Sequence, residues 1–197
     1  MAVGKTPKGE RTKNRITEVS IKLINDQGFN KVSLSDICTA AEVAPGTFYH
    51  YFTSTNDILK EVLKVEGEEL IEYYRTLDSM SALQKLEKVL IFQLNYYEKK
   101  GKEVVAEIYK AELLSGAGSS NIDKLLPFQK FLDEIITEGQ ISGDFSTLNS
   151  PADNAVLIMS LIAYYSFRWI QDESKMSLEQ TAAGHIGNII SQVIVAR

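Results

Sequence analysis

The stretch Lys31 to Thr55, KVSLSDICTAAEVAPGTFYHYFTST, constrains this chain more than any other. It reads as two short helices joined by a tight turn, with a third helix starting behind them. Ser33 is placed to cap the first helix, and Asp36, three residues on, to reach back to the Ser33 amide. Ile37 and Ala41 fall on one face, and Ala40 and Ala41 are small enough to let two helices cross closely. After Val43 the chain turns and restarts at Pro45, whose missing N–H is no loss in a first helical turn. Phe48 and Phe52, one turn apart, join Ile37, Ala41 and Val43 in a core, which leaves Thr47, Tyr49, His50 and Tyr51 nearer the surface. Ser54 with Asp57 predicts a second capping box at the head of the next helix.

A second helix with an exposed N-terminal face is the part that such a pair inserts into a major groove. Hydroxyls and imidazole bond phosphates there, and tyrosine rings contact sugars or thymine methyls. The stretch resembles the DNA-binding domain of TetR-type transcriptional repressors. The matching residues are Val32, Ser33, Ile37, Ala40, Ala41, Val43, Gly46, Thr47, Phe48, Tyr49, His50, Tyr51, Phe52 and Ser54. The resemblance implies DNA contacts at Ser33, Ser35, Ala44, Pro45, Gly46, Thr47, Tyr49, His50, Tyr51 and Thr55. Tyr49, His50 and Tyr51 would hold the backbone, with Thr47 and Pro45 nearest the base edges.

Three positions depart from that pattern. Glu42 stands where the family usually has a turn glycine, so a side chain must accept positive φ at about 1–2 kcal/mol. Ala44 and Pro45 replace a hydroxyl cap and a polar residue, and Thr55 replaces a phosphate-binding lysine. Together they predict a weaker or more selective DNA grip on an unchanged fold.

Charge supports the assignment only through its distribution. The net charge of −5 argues against a general nucleic-acid binder, yet the positive excess is concentrated between Lys5 and Lys22. Arg11, Lys13 and Arg15 sit near the start of a first helix, about Gly9 to Gln27, where a phosphate strand could meet them, and Lys5 and Lys8 lie on a basic arm. Four prolines and no alternating β-branched runs predict an all-α chain. The single Cys38 excludes an internal disulfide and reads as a small buried apolar residue. No apolar run follows the basic N-terminus, and Ala155–Ile170 is too short to span a bilayer comfortably, so a cytoplasmic protein without membrane partners is expected.

Behind the head, the helix after Ser54 is long enough to enter a second part, ending near Leu77. The expected division is 9–62 for a three-helix DNA-binding domain and 63–197 for a helical ligand-binding and dimerisation bundle, about nine helices in all. Ser81–Gln84 boxes a helix through Lys99, Gly101 breaks it, and Lys102–Leu114 forms the next. Gly116–Ser120 reads as loop, with helix resuming at Ile122 or Pro127 and a turn at Gly143-Asp144-Phe145. Ser150-Pro151 opens a helix apolar almost all round, and Ser177–Gln180 caps the last, whose apolar set runs from Ala182 to Ile194 with small Ala183, Gly184 and Gly187. The resemblance implies that these two helices pair with their copies in a homodimer; a thicker intramolecular core is the alternative.

No catalytic or metal constellation is evident. His50 and His185 lie in different parts, there is no phosphate-cradling glycine loop, and Glu66, Glu68 and Glu69 read as a solvated acidic face. The resemblance implies a cavity in the bundle for a small apolar or aromatic effector, with Phe92, Tyr96, Tyr109, Phe128, Phe131, Tyr165 and Trp169 as its aromatic lining. The expected protein is thus a ligand-responsive repressor that binds a palindromic operator in double-stranded DNA as a dimer, with no cofactor. The other reading, an all-helical small-molecule-binding protein or enzyme with a degenerate DNA-binding head, rests on Glu42, Pro45 and Thr55.

Overall fold

The computed structural model describes residues 7–114, 127–173 and 176–190, and among these the chain is all-helical. Helices α1 (Pro7–Gln27), α2 (Leu34–Ala40) and α3 (Pro45–Tyr51) form the head. Behind it lie α4 (Asn56–Arg75), α5 (Ala82–Lys100), α6 (Lys102–Leu114), α7 (Pro127–Ser142), α8 (Pro151–Gln171) and α9 (Leu178–Ile189). The expected arm residue Lys5, the loop at 116–120, the helix start at Ile122 and the terminal Val193 and Ile194 lie outside the described residues. So do the side chains of Ala183 and Gly184.

Local signals set most helix starts. Ser33 with Asp36, Ser81 with Gln84, and Ser177 with Gln180 each form a reciprocal capping box. Ser150 accepts the Asp153 amide, with Pro151 in the first turn. The start of α4 departs from expectation. Asp57 does not reach Ser54; it accepts from the Thr53 hydroxyl and, at 2.9 Å, from the Thr53 amide. Lys60 and then Thr53 hold the Asp57 carboxyl down at about 2.

In the head, Ile16, Ile24, Ile37, Ala41, Phe48 and Phe52 are buried together, and Cys38 is buried among them. Ala40 is exposed, so the close crossing of α2 and α3 uses Ala41 alone of the two alanines. Lys13 also departs from its expected place: it ion-pairs with Glu61 of α4 and lies 5.7 Å over the Phe52 ring. That side chain fastens α1 to α4.

The bundle is cross-linked by specific contacts. Lys85 of α5 places its ammonium 2.8 Å from both carboxylate oxygens of Glu138 on α7. Glu98 of α5 accepts the Leu178 amide at 3.0 Å, docking the start of α9. α8 turns Ala155, Ile158, Ile162, Ser166 and Trp169 inward, yet Val156, Tyr164 and Phe167 remain exposed. Its all-round apolar pattern therefore exceeds what the described residues cover.

Candidate functional site: a reading helix and a helical cavity

The turn between α2 and α3 is built as a C-terminal helix cap of the Schellman type. The Val43 amide donates to the Cys38 carbonyl at 3.0 Å and the Glu42 amide to Thr39 at 3.2 Å, with Glu42 held at φ 52°. Glu42 therefore takes the glycine conformation without being glycine. Its exposed carboxylate lies 4.0 Å from Arg15, one of the basic residues near the start of α1.

After Ala44, which offers no side-chain cap, α3 presents Ala44, Pro45, Gly46, Tyr49 and His50 as an exposed face, with Tyr49 58% exposed. Thr47 and Tyr51 are half-buried, Tyr51 edge-on to His50 at 4.9 Å. Ser35 is exposed on α2, and Thr55 is half-buried at the mouth of α4. Ser33 is exposed, but its hydroxyl is engaged with Asp36 in the α2 cap. The sequence-predicted DNA residues thus gather on α3 and the ends of its neighbours. A Cβ at Gly46 would meet no atom within 4 Å, so nothing among the described residues requires glycine there.

A cavity of about 1000 Å³ opens beside this head. Its long wall is α4, from Asn56 to Leu70; α5, α6, α7 and α8 supply the rest, and Phe29, Asn30 and Thr53 stand at its head-side end. Of the expected aromatic lining, Tyr109 and Phe128 stand on the wall. The other five are placed elsewhere by packing. Phe92 stacks between Tyr73 and Tyr96, Phe131 meets Tyr74, and Tyr165 stacks on His185. The Tyr96 hydroxyl donates to the Val62 carbonyl at 2.7 Å. Lys102 covers the Trp169 ring at 5.4 Å. Tyr97 and Phe167 line the cavity instead.

Two polar residues of that wall, Glu66 and Gln93, lie outside the aromatic lining that the sequence suggests. Glu66, expected on a solvated acidic face, is buried at 5% exposure and accepts a hydrogen bond from Gln93 of α5, itself 2% exposed. Burial pushes the Glu66 carboxyl up to about 7, against the Gln93 hydrogen bond and the field of Lys100, with Glu69 adding to the rise. A signal existed: Glu66 lies one turn from both Val62 and Leu70 on the buried stripe of α4.

An exposed reading helix set by a tight turn, on a bundle with a cavity, defines a helix-turn-helix DNA-binding regulator. The family model for bacterial regulatory proteins of the tetR family matches residues 16–62. The fatty acid metabolism regulator protein of Bacillus subtilis is 25% identical over 83% of this chain and 86% of its own length. Among solved structures, a regulator from Saccharomonospora viridis in complex with choline superposes with TM-score 0.75 at 20% identity, covering 95% of this chain and all of that one. FadR from Bacillus subtilis in complex with stearoyl-CoA gives 0.72 at 23% identity, over 90% and 96% of the two chains. Residues 16–62 thus carry the DNA-binding domain of a TetR-type transcriptional regulator, and the relatives named here are regulators. Among the described residues no helix is long and apolar enough to cross a membrane.

Proposed function

We propose that this protein is a cytoplasmic, dimeric repressor that binds a palindromic operator and is released by a small, largely apolar effector. Residues 9–62 read the DNA; residues 63–197 hold the effector and the dimer contact. The observation that carries this reading is the double role of α4. It begins at Asn56, with four residues between it and the end of the reading helix α3 at Tyr51, and it also forms the long wall of the cavity. A ligand pressing on that wall acts on the helix that positions α3.

In a two-fold dimer the two copies of α3 enter successive major grooves about 34 Å apart. Tyr49, His50 and Tyr51 bond the backbone, and Thr47 and Pro45 face base edges. The exposed Val156 and Tyr164 of α8, with α9 beside them, form the contact between copies. An effector shifts the dimer out of its DNA-binding spacing only by as much as it prefers the other conformer. The bound stearoyl-CoA and choline of the two structural neighbours support a small-molecule effector here, without fixing which.

The test is fluorescence anisotropy of the purified protein on the DNA upstream of its own gene, titrated with salt and unrelated competitor. Saturable binding that survives competitor and falls steeply with salt is expected. Binding no tighter than to competitor, across tiled upstream fragments, would refute an operator on that DNA.

A further inference from the structure

Among the described residues of the cavity wall, one buried hydrogen-bond acceptor is left without a donor. Gln93 spends its Nε2 donor on Glu66 Oε1, while no donor among the described residues reaches Gln93 Oε1. A buried polar atom without a partner is uncommon and calls for a reason. Two donors on the surrounding helices are committed elsewhere. The Tyr96 hydroxyl is held by the Val62 carbonyl, and the Lys100 ammonium stands 4.6 Å from the Tyr96 ring centroid, acting on Glu66 only as a field. Across the cavity, Lys110 of α6 is paired at 3.0 Å with Glu107 of its own helix. Around Glu66 and Gln93 the wall is apolar and aromatic, with Leu63, Leu70, Tyr97 and Phe128.

We infer that Glu66 and Gln93 are the head-group anchor of the cavity, and that its effector is an apolar molecule ending in a protonated amine. The ammonium N–H groups donate to Gln93 Oε1 and to the Glu66 carboxylate, and the apolar body lies along α4. Three ligand chemistries compete for such a site. A carboxylate or other anion brings no donor to Gln93 Oε1 and sets a second negative charge beside Glu66. A hydroxyl supplies one donor but no positive charge to pair with Glu66 in its ionised form. Only a cation with N–H groups satisfies the orphan oxygen and neutralises Glu66 together, and aromatic walls suit a cation besides. Binding then drives Glu66 to its ionised form and releases its proton. This inference rests on the cavity being the effector site, as proposed above.

The experiment is calorimetric titration of the full-length protein with n-octylamine, n-octanol and n-octanoate, in the wild type, Glu66→Gln and Gln93→Met. The expected result is octylamine binding about tenfold or more tighter than octanol, with octanoate weakest. Glu66→Gln should cost octylamine about tenfold and leave octanol within about threefold, and Gln93→Met should also weaken octylamine selectively. Octylamine affinity should rise from pH 6 to pH 8, and at pH 7 the heat should vary with buffer ionisation enthalpy as a proton leaves. Octanol or octanoate binding as tightly as octylamine, or octylamine indifferent to Glu66→Gln, overturns the anchor while leaving the cavity reading intact. If none of the three probes binds, both fall.

Discussion

Asn25 lies directly over Gly101. Its Nδ2 donates 2.8 Å to the neighbouring Lys100 carbonyl, and a Cβ at 101 would stand 2.3 Å from its Oδ1. This contact joins the end of α1 to the corner between α5 and α6, so the reading head is tied to the bundle at a second point besides α4. Gly101 also sits at φ 90° and ψ 159°, a region essentially reserved for glycine. Gly101→Ala should therefore destabilise the fold by about 1–3 kcal/mol and displace Asn25. Chemical denaturation measures the first effect. Asn25→Ala, which removes the hydrogen bond but not the backbone fit, should cost no more than about 1.5 kcal/mol.

Glu42 should be improvable. Glycine at 42 relieves the positive φ and removes the carboxylate facing Arg15, at some cost in unfolded-state entropy. Glu42→Gly is expected to stabilise the protein by up to about 1 kcal/mol and to tighten DNA binding, with a steeper salt dependence as Arg15 is freed. Loss of both stability and affinity would show that the carboxylate contributes to the head.

Gly46 separates folding from reading. With open space where a Cβ would stand, Gly46→Ala should leave stability unchanged or raise it by up to about 1 kcal/mol. If DNA backbone approaches α3 at this point, operator affinity should nevertheless fall. Thermal melts and anisotropy on the same samples give both numbers, and unchanged affinity would refute a close approach at residue 46.

Glu66 predicts a pH dependence of definite sign. Its carboxyl is raised from 4.5 to about 7, so between those values the folded chain holds a proton that the unfolded chain has released. Stability from this group is full below 4.5 and declines as pH rises to about 7. Glu66→Gln cancels that decline and offers an amide N–H to Gln93 Oε1. The variant should gain on the wild type between pH 5 and pH 8, by up to roughly 3 kcal/mol. An equal difference at both pH values would show that the buried carboxyl does not titrate in this range.

The exposed row on α8 should decide the oligomeric state. Tyr164 is 53% exposed in the single chain, and an isologous contact over it would bury a charge placed there twice, once in each copy. Tyr164→Asp is expected to convert dimer to monomer by light scattering and to abolish tight operator binding, with the helical content of the chain retained. A dimer that persists unchanged would move the interface off this row.

Signals that act within four residues were legible without coordinates. The boxes at Ser33, Ser81 and Ser177 and the break at Gly101 depend on side chains reaching their own backbone, and the sequence places them correctly. The head core was legible too, because Ile37, Ala41, Phe48 and Phe52 repeat at helical spacing. The start of α4 differs from the sequence expectation because Ser54 and Thr53 are both close in sequence to Asp57, and local spacing does not rank them.

The sequence by itself determined that this chain is helical, that it carries a helix-turn-helix, and which side chains α3 leaves outside. Tertiary structure alone decided what each bundle aromatic does, because helical periodicity says that a ring is buried but not against what. Five of seven expected lining aromatics are absorbed by neighbouring helices, as Phe92 is by Tyr73 and Tyr96. Glu66 shows the converse. Its charge reads as solvated in a local acidic run, and only the approach of α5, bringing Gln93 from 27 residues away, buries it against a partner. Contacts between distant segments are not written in any local spacing.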